Sequence, residues 1–428
     1  MLDRKQQPAI LPITQLEIPR PEIRSLDNGI ILNIFQRNEE DVVRFDIVVH
    51  AGIWQQTQPL QALFTNRMLR EGTTDYSSKE ISSSLDFYGA WLDLSCSYTK
   101  SYITLYSLGK YFEETLKLVH SMIIQPDFPS KEFDVMVAHN KQQYIINQTK
   151  TEYTSQKMFM RKIFGESHPC GYFASEHDYD QITTNALKKF HRMYYHNNNV
   201  TLYTSGNVTD KTVDTINKLF GNSQWGEWKE RESLKPISMQ TSASRHEFIE
   251  HSNAVQSSIR IGCPTINYKN PDYQKLRVVA TLLGGYFGSR LMKNIREDKG
   301  FTYGISANII PYPDSGLFII STEVANEYVE PTINEIYKEI KKLQEENVDE
   351  KEIQMVKNYS IGEFCRSFEG MFSLSDAYIM LETYGLKDDY FKKNLHDIIH
   401  ITSEEIRSLA QKYMKIEYMI DIIAGKKI

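Results

Sequence analysis

Two segments of this chain, 219 residues apart, run in step without a gap. Ile182–Gly206 reads ITTNALKKFHRMYYHNNNVTLYTSG, and Ile401–Gly425 reads ITSEEIRSLAQKYMKIEYMIDIIAG. Ile182 answers Ile401, Thr183 answers Thr402, Tyr194 answers Tyr413 and Gly206 answers Gly425. Apolar residues also match at Leu187/Ile406 and Phe190/Leu409. Self-similarity of this kind points to a duplicated unit and constrains the fold before any local reading. Two units in 428 residues leave roughly 200 residues each, enough for each to bury its own core.

The order of predicted elements supports the duplication. In the first half, Asn28-Gly29 signals a turn, followed by β-rich runs at 30–35 and 42–49. A helical pattern covers 58–71, and Ser77 with Glu80 forms a capping box for a helix that ends near Gly89. Paired strands are expected at 91–96 and 101–108, helices at 112–124, 130–148, 152–163 and 187–195, and a strand at 200–205. The second half repeats this: strands at 246–250 and 256–262, helices at 271–283 and 289–297, strands at 303–311 and 316–324, then long helices to about 414. Neither half alternates strand and helix regularly. The expected fold is therefore α+β, with two similar sequential domains, each a mixed, mostly antiparallel sheet packed against a layer of helices. A Pro-punctuated extended arm is expected over 1–24 (Pro8, Pro12, Pro19, Pro21), a first domain over 25–222, a linker over 223–244 and a second domain over 245–428.

Composition removes several classes of function. Lys+Arg of 49 against Asp+Glu of 55 gives a net charge of −6, the wrong sign for a chain whose main partner is nucleic acid. No stretch reaches the ~20 uninterrupted apolar residues of a membrane span. Cys96, Cys170, Cys263 and Cys365 are too scattered for a disulfide framework or a CxxC site, and read as buried or bystander thiols. The N-terminal residues carry no signal-peptide pattern, so the expected compartment is the cytoplasm, or the periplasm if a leader has been removed.

The segment Pro59–Thr73, PLQALFTNRMLREGT, resembles the active-site helix of the insulinase / pitrilysin / mitochondrial-processing-peptidase family of zinc peptidases. In that family the helix carries an inverted zinc motif, H-x-x-E-H, followed by Met-Leu and then Gly-Thr. The resemblance continues through Asp86–Ala90, Phe128-Pro129, Phe164–Gly171, Phe190–Asn199, Gly284–Leu291 and Ile295–Tyr303. It spans nearly the whole chain, at the size of the family's short two-domain branch.

The motif itself is lost. Anchoring on Met68-Leu69 and Gly72-Thr73 puts Leu63, Asn66 and Arg67 where the family has His, Glu and His. The third ligand position, about 76 residues further on, falls on Gln143. Zinc needs neutral or anionic lone-pair donors. Leu63 has none, and Arg67 stays protonated. Gln143 lacks the anion, and Asn66 cannot take a proton from an attacking water. The expectation is no metal in this chain and no catalysis by this helix.

Displaced metal sites are weak. His396 and His400 have i, i+4 spacing, but Asp397 is not at the base position of either zinc motif. His168, Cys170 and His177 cluster mainly in the part that resembles a family loop, and His191 and His196 fall on different helix faces. Gly284-Gly285-x-x-Gly288 lacks the Gly-Lys-Ser/Thr of a phosphate loop and reads as a turn into the next helix.

Arg296 and Tyr303 lie seven residues apart across the Lys299-Gly300 turn. The resemblance implies that such a pair reaches the zinc site of a partner and donates hydrogen bonds to the substrate and its oxyanion. It further implies a non-catalytic subunit of a heterodimeric zinc endopeptidase. The partner would be an HxxEH-bearing chain of the same fold that carries the zinc. The substrate would be an unfolded peptide added to a sheet edge. The alternative is a stand-alone peptide-binding or assembly protein. The residues themselves leave a homodimer open.

Overall fold

The computed structural model describes residue 13, residues 16–37 and 41–227, residue 230, and residues 234–428. The first half contributes strands β1 (Glu22–Ser25), β2 (Ile31–Gln36), β3 (Val42–Val49), β4 (Trp91–Cys96), β5 (Ser101–Leu108) and β6 (Val200–Gly206). Its helices are α1 (Gln61–Met68), α2 (Ser78–Tyr88), α3 (Phe112–Ile124), α4 (Ser130–Gln148), α5 (Thr151–Phe164), α6 (Glu176–Gln181), α7 (Thr184–Tyr194) and α8 (Asp210–Ile216). The second half has β7 (His246–Glu250), β8 (Gln256–Thr265), β9 (Thr302–Pro311), β10 (Gly316–Ala325) and β11 (Ile420–Gly425). Its helices are α9 (Tyr273–Ala280), α10 (Val329–Glu345), α11 (Glu350–Arg366), α12 (Gly370–Tyr384), α13 (Tyr390–His400) and α14 (Ser403–Tyr413).

The two sheets share one topology. The first runs β1-β2-β6-β3-β5-β4 and the second β7-β11-β8-β10-β9, so the second lacks only a counterpart of β1. Within each, one pairing is parallel, β2 with β6 and β7 with β11, and the rest are antiparallel. The fold is α+β, with two similar sheets packed against helices, as the repeat implies. Matched residues do matched work. Thr183 and Thr402 cap α7 and α14 by accepting from the N–H groups of Ala186 and Glu405. Gly206 and Gly425 end the matched strands where a Cβ would strike Val42 O at 2.3 Å and Ser257 Oγ at 1.8 Å.

Side chains alternate between the two faces of each sheet. Phe45, Ile47 and Val49 of β3 face the first half's own helices, whereas Val48 faces the other way. Phe318 and Ile320 of β10 likewise face the second half's core, and Leu317 and Ile319 turn outward. The outward faces are covered by exchange. Helix α5 of the first half lays Phe159, Met160, Ile163 and Phe164 against Leu317, Ile319, Ile420 and Ile422. Helix α12 of the second half returns Leu374 and Ile379 to Phe35, Val48 and Tyr203. Polar pins accompany it. Buried Arg44 donates to Asp376 on α12 at 2.6 Å, and to Asp46 beside it at 2.9 Å. Glu382, also on α12, accepts from Thr201 Oγ1 at 2.9 Å and from the Tyr203 hydroxyl, and lies 3.3 Å from His50 Nε2.

Three local expectations change. Glu22–Ser25, inside the expected arm, pairs with β2 as an edge strand; residues 1–12 and 14–15 of that arm lie outside the described residues. The helix expected over 271–283 widens into a π-type turn over Thr281–Gly285, and the helix expected over 289–297 is π-type over Met292–Asp298. Close packing explains the first of these. A Cβ on Gly284 would meet Ala307 N of β9 at 2.7 Å, so only glycine lets the turn lie this close to the strand. Helices α6 and α8 were missed: α6 covers only 6 residues and α8 only 7, too short to show helical periodicity.

Candidate functional site

Helix α1 is short and almost wholly buried, which fixes where its exceptions point. Leu63 is half-buried and packs against the first half's core. Asn66 is buried, and its Nδ2 donates to the carbonyl oxygens of Ser95 on β4 and Tyr102 on β5, the latter at 3.2 Å. Arg67 is exposed, and its Nη1 donates to Asn140 Oδ1 at 3.0 Å. Gln143, also exposed, donates along its own helix to Asn147 Oδ1 at 3.1 Å. Asn140, one helical turn before Gln143, is thus the α4 residue that meets α1, and the residue count had missed it.

This donor set does not fit zinc. Asn66 Nδ2 is spent on two carbonyls, Leu63 has no lone pair and Arg67 carries a positive charge, so the acceptors these positions offer are amide oxygens. Among the described residues no group of three or more His, Cys, Asp or Glu could hold a metal ion. The displaced candidates have structural partners. His396 and His400 stack at 4.1 Å, and His400 Nδ1 lies 2.8 Å from the His396 carbonyl oxygen. His168 is buried, accepts from Cys170 N–H at 3.1 Å and stacks on Phe164. Burial pushes the Cys96 thiol up to about 11 and the Cys263 thiol up to about 12, away from reactivity near neutral pH.

His191 is half-buried, its imidazole between Phe128 and Tyr195 with Nε2 2.9 Å from Ile123 O. Burial lowers its pKa to about 4, the hydrogen bond to Ile123 opposing only in part. The unfolded chain therefore binds this proton first as pH falls from about 6.5, so His191 costs stability on acidification toward 4. Urea unfolding should show the wild-type protein losing about 2 kcal/mol more than His191→Gln between pH 7.5 and 5. Parallel pH profiles for the two proteins would refute this assignment.

In the second half Arg296 and Tyr303 lie side by side. Arg296 sits on the π-type turn and Tyr303 at the start of β9, joined through Gly300 at φ +67°. The guanidinium carbon lies 5.0 Å from the Tyr303 ring centre and 4.6 Å from that of Phe287. Phe287 and Tyr303 are 60% and 88% exposed. An arginine held between two rings loses little further freedom when it donates to a ligand. Phe287 went unread in the sequence; its one signal was an aromatic placed inside the Gly284–Gly288 turn. Among the described residues no hydrogen bond, ion pair or ring contact joins Arg296 or Tyr303 to the α1 positions.

Comparisons with known proteins bear on both halves. Residues 181–360 match the family model described as the peptidase M16 inactive domain. An uncharacterized zinc protease of Rickettsia felis is 24% identical over 345 residues, covering 77% of this chain and 80% of its own. The non-peptidase homolog YmxG of Helicobacter pylori is 20% identical over 368 residues, covering 84% and 83%. Among solved structures, a peptidase M16 inactive domain from Pseudomonas fluorescens superposes with a TM-score of 0.82 at 21% identity, covering 95% of this chain and 98% of its own. A protease from Helicobacter pylori superposes at 0.86 with 15% identity, covering 96% and 100%. No helix among the described residues is long and apolar enough to cross a membrane. Over residues 181–360 the chain matches the peptidase M16 inactive-domain model, and over most of its length it has the fold of M16-like structures, while its own sequence lacks the HxxEH zinc motif.

Proposed function

We propose that this chain is the non-catalytic subunit of a heterodimeric zinc metalloendopeptidase, in which Arg296 and Tyr303 complete the active site of an HxxEH-bearing partner. The observation that carries the reading is the contrast between the two halves. At the positions the family resemblance assigns to metal, helix α1 carries Leu63, Asn66 and Arg67, whereas the second half holds an arginine and a phenol together at an exposed position. Zinc in the partner would supply an activated water. This chain's part is binding and orientation. Arg296 is a permanent donor, and the Tyr303 hydroxyl donates without ionising, so both can hold the carbonyl oxygen of a bound peptide as negative charge grows on it. The exposed edge strands β4 and β9 offer unpaired backbone groups to an extended peptide. The domain limits we assign are 25–222 and 245–428, joined by 223–244.

The test is purification of the tagged chain from its host, followed by reconstitution with any HxxEH-bearing chain that accompanies it. Peptidase activity is expected on mixing and from neither chain alone. Stoichiometric zinc in this chain purified by itself would overturn the reading of residues 63, 66, 67 and 143. Failure to recover any HxxEH-bearing chain would favour a stand-alone peptide binder.

A further inference from the structure

A polar cavity of about 280 Å³ opens in the second half between α9, α11 and β9. These elements are the duplicates of α1, α4 and β4, so the cavity takes the place in the second half that the lost zinc position takes in the first. In the first half, Arg67 and Asn140 bond across the space between the two helices, whereas the second half leaves it open. Gln274 of α9 lines the cavity at only 6% exposure, and its Oε1 has no hydrogen-bond partner among the described residues. Ser360 Oγ, on the α11 wall, is buried and unpartnered in the same way. A buried acceptor and a buried hydroxyl that meet no protein group are unfavourable unless something in the cavity satisfies them.

The rest of the wall narrows what that something is. Arg277 and Glu363 are its only charged residues, and Glu363 is turned toward Arg366 at 3.2 Å. Asn308, on β9, adds an amide, and Tyr359 adds a ring fixed by stacking on Tyr286 at 5.0 Å. An apolar ligand would strand Gln274 Oε1, and a multiply charged anion would meet one guanidinium and an opposing carboxylate. Amides and hydroxyls match a ligand whose own groups both donate and accept, and an aromatic ring suits the C–H face of a saturated ring. We infer that this cavity binds a neutral polyhydroxylated small molecule of the monosaccharide or cyclic-polyol class, with Gln274 Oε1 accepting from a ligand hydroxyl. The volume admits one such ring. The inference is independent of the heterodimer.

The experiment is calorimetric titration of the full chain with D-glucose, D-mannose, D-galactose and myo-inositol, with glycine and L-alanine as the competing zwitterionic class. Saturable binding of at least one of the four polyols is expected, weakened at least tenfold by Gln274→Leu and by Asn308→Ala. Leu fills the same space without a stranded acceptor, so Gln274→Leu should melt no lower than the wild-type protein. Asn308 is exposed, which keeps Asn308→Ala informative even if the buried variant fails to fold. No saturable binding of any polyol, tighter binding of the amino acids, or binding that survives both substitutions would each overturn the proposal.

Discussion

Replacing Arg296 by Ala and Tyr303 by Phe together is expected to lower the peptidase activity of the reconstituted complex by about 10²–10³-fold, the usual cost of removing an oxyanion donor. Most of the loss should appear in kcat, because donors aimed at developing charge act more strongly on the transition state than on bound substrate. Arg296→Lys keeps the charge but loses the planar fork that lies between Phe287 and Tyr303, so it should recover only part of the activity. The guanidinium is half-buried and the phenol exposed, so complex formation by size exclusion and thermal melting should stay near wild type. Activity unchanged in the double variant would remove both residues from the site and leave the second half a purely structural role.

The second large effect concerns stability. Asp46 is fully buried, and burial holds its carboxyl above the ordinary range despite Arg44 and the Thr104 hydroxyl, which donates at 2.7 Å. For Arg44, burial works against the charge but is outweighed by Asp376 and Asp46, which raise its pKa. Arg44→Met keeps much of the volume and strands Asp46. Breaking a buried pair in this way costs about 3–5 kcal/mol, to be read from urea unfolding at pH 7. The sign of its pH dependence follows. A carboxyl whose folded pKa lies above the unfolded value contributes stability below the unfolded pKa and loses it as pH rises through the folded one. Losing Arg44 raises that folded pKa further, so the deficit of Arg44→Met should be greatest near neutrality and shrink on acidification toward pH 4. A deficit that stays constant with pH would show that Asp46 is not the group left stranded.

Much of this was legible in the residues because it is local. Ser77 and Glu80 form the capping box they spell, and Gly89 closes the same helix in the left-handed conformation. The matched Thr183 and Thr402 announce matched helices because an N-cap is a contact between near neighbours. That Leu63 and Arg67 offer zinc no lone pair is equally plain, since it turns on the atoms those side chains carry. Other features depend on contacts distant in sequence. Nothing near residue 151 or 370 says that α5 and α12 serve the opposite sheet. The pairing of Arg67 with Asn140 rather than Gln143 depends on the relative rotation of two helices 73 residues apart. The cavity in the second half is invisible for the same reason, since its walls come from α9, α11 and β9.

The exchange of α5 and α12 also sets the order in which the protein can be finished on the ribosome. The first sheet is complete in sequence at Gly206, but the helix that covers Phe35, Val48 and Tyr203 is not made until residues 370–384. At ~5–20 residues per second, the uncovered apolar face waits roughly ten to thirty seconds for its cover. Helix α5 is in the opposite position, made early with no sheet yet to receive it. The emerging chain therefore carries two exposed apolar surfaces through the middle of translation, and both are buried only when its last helices and β11 arrive.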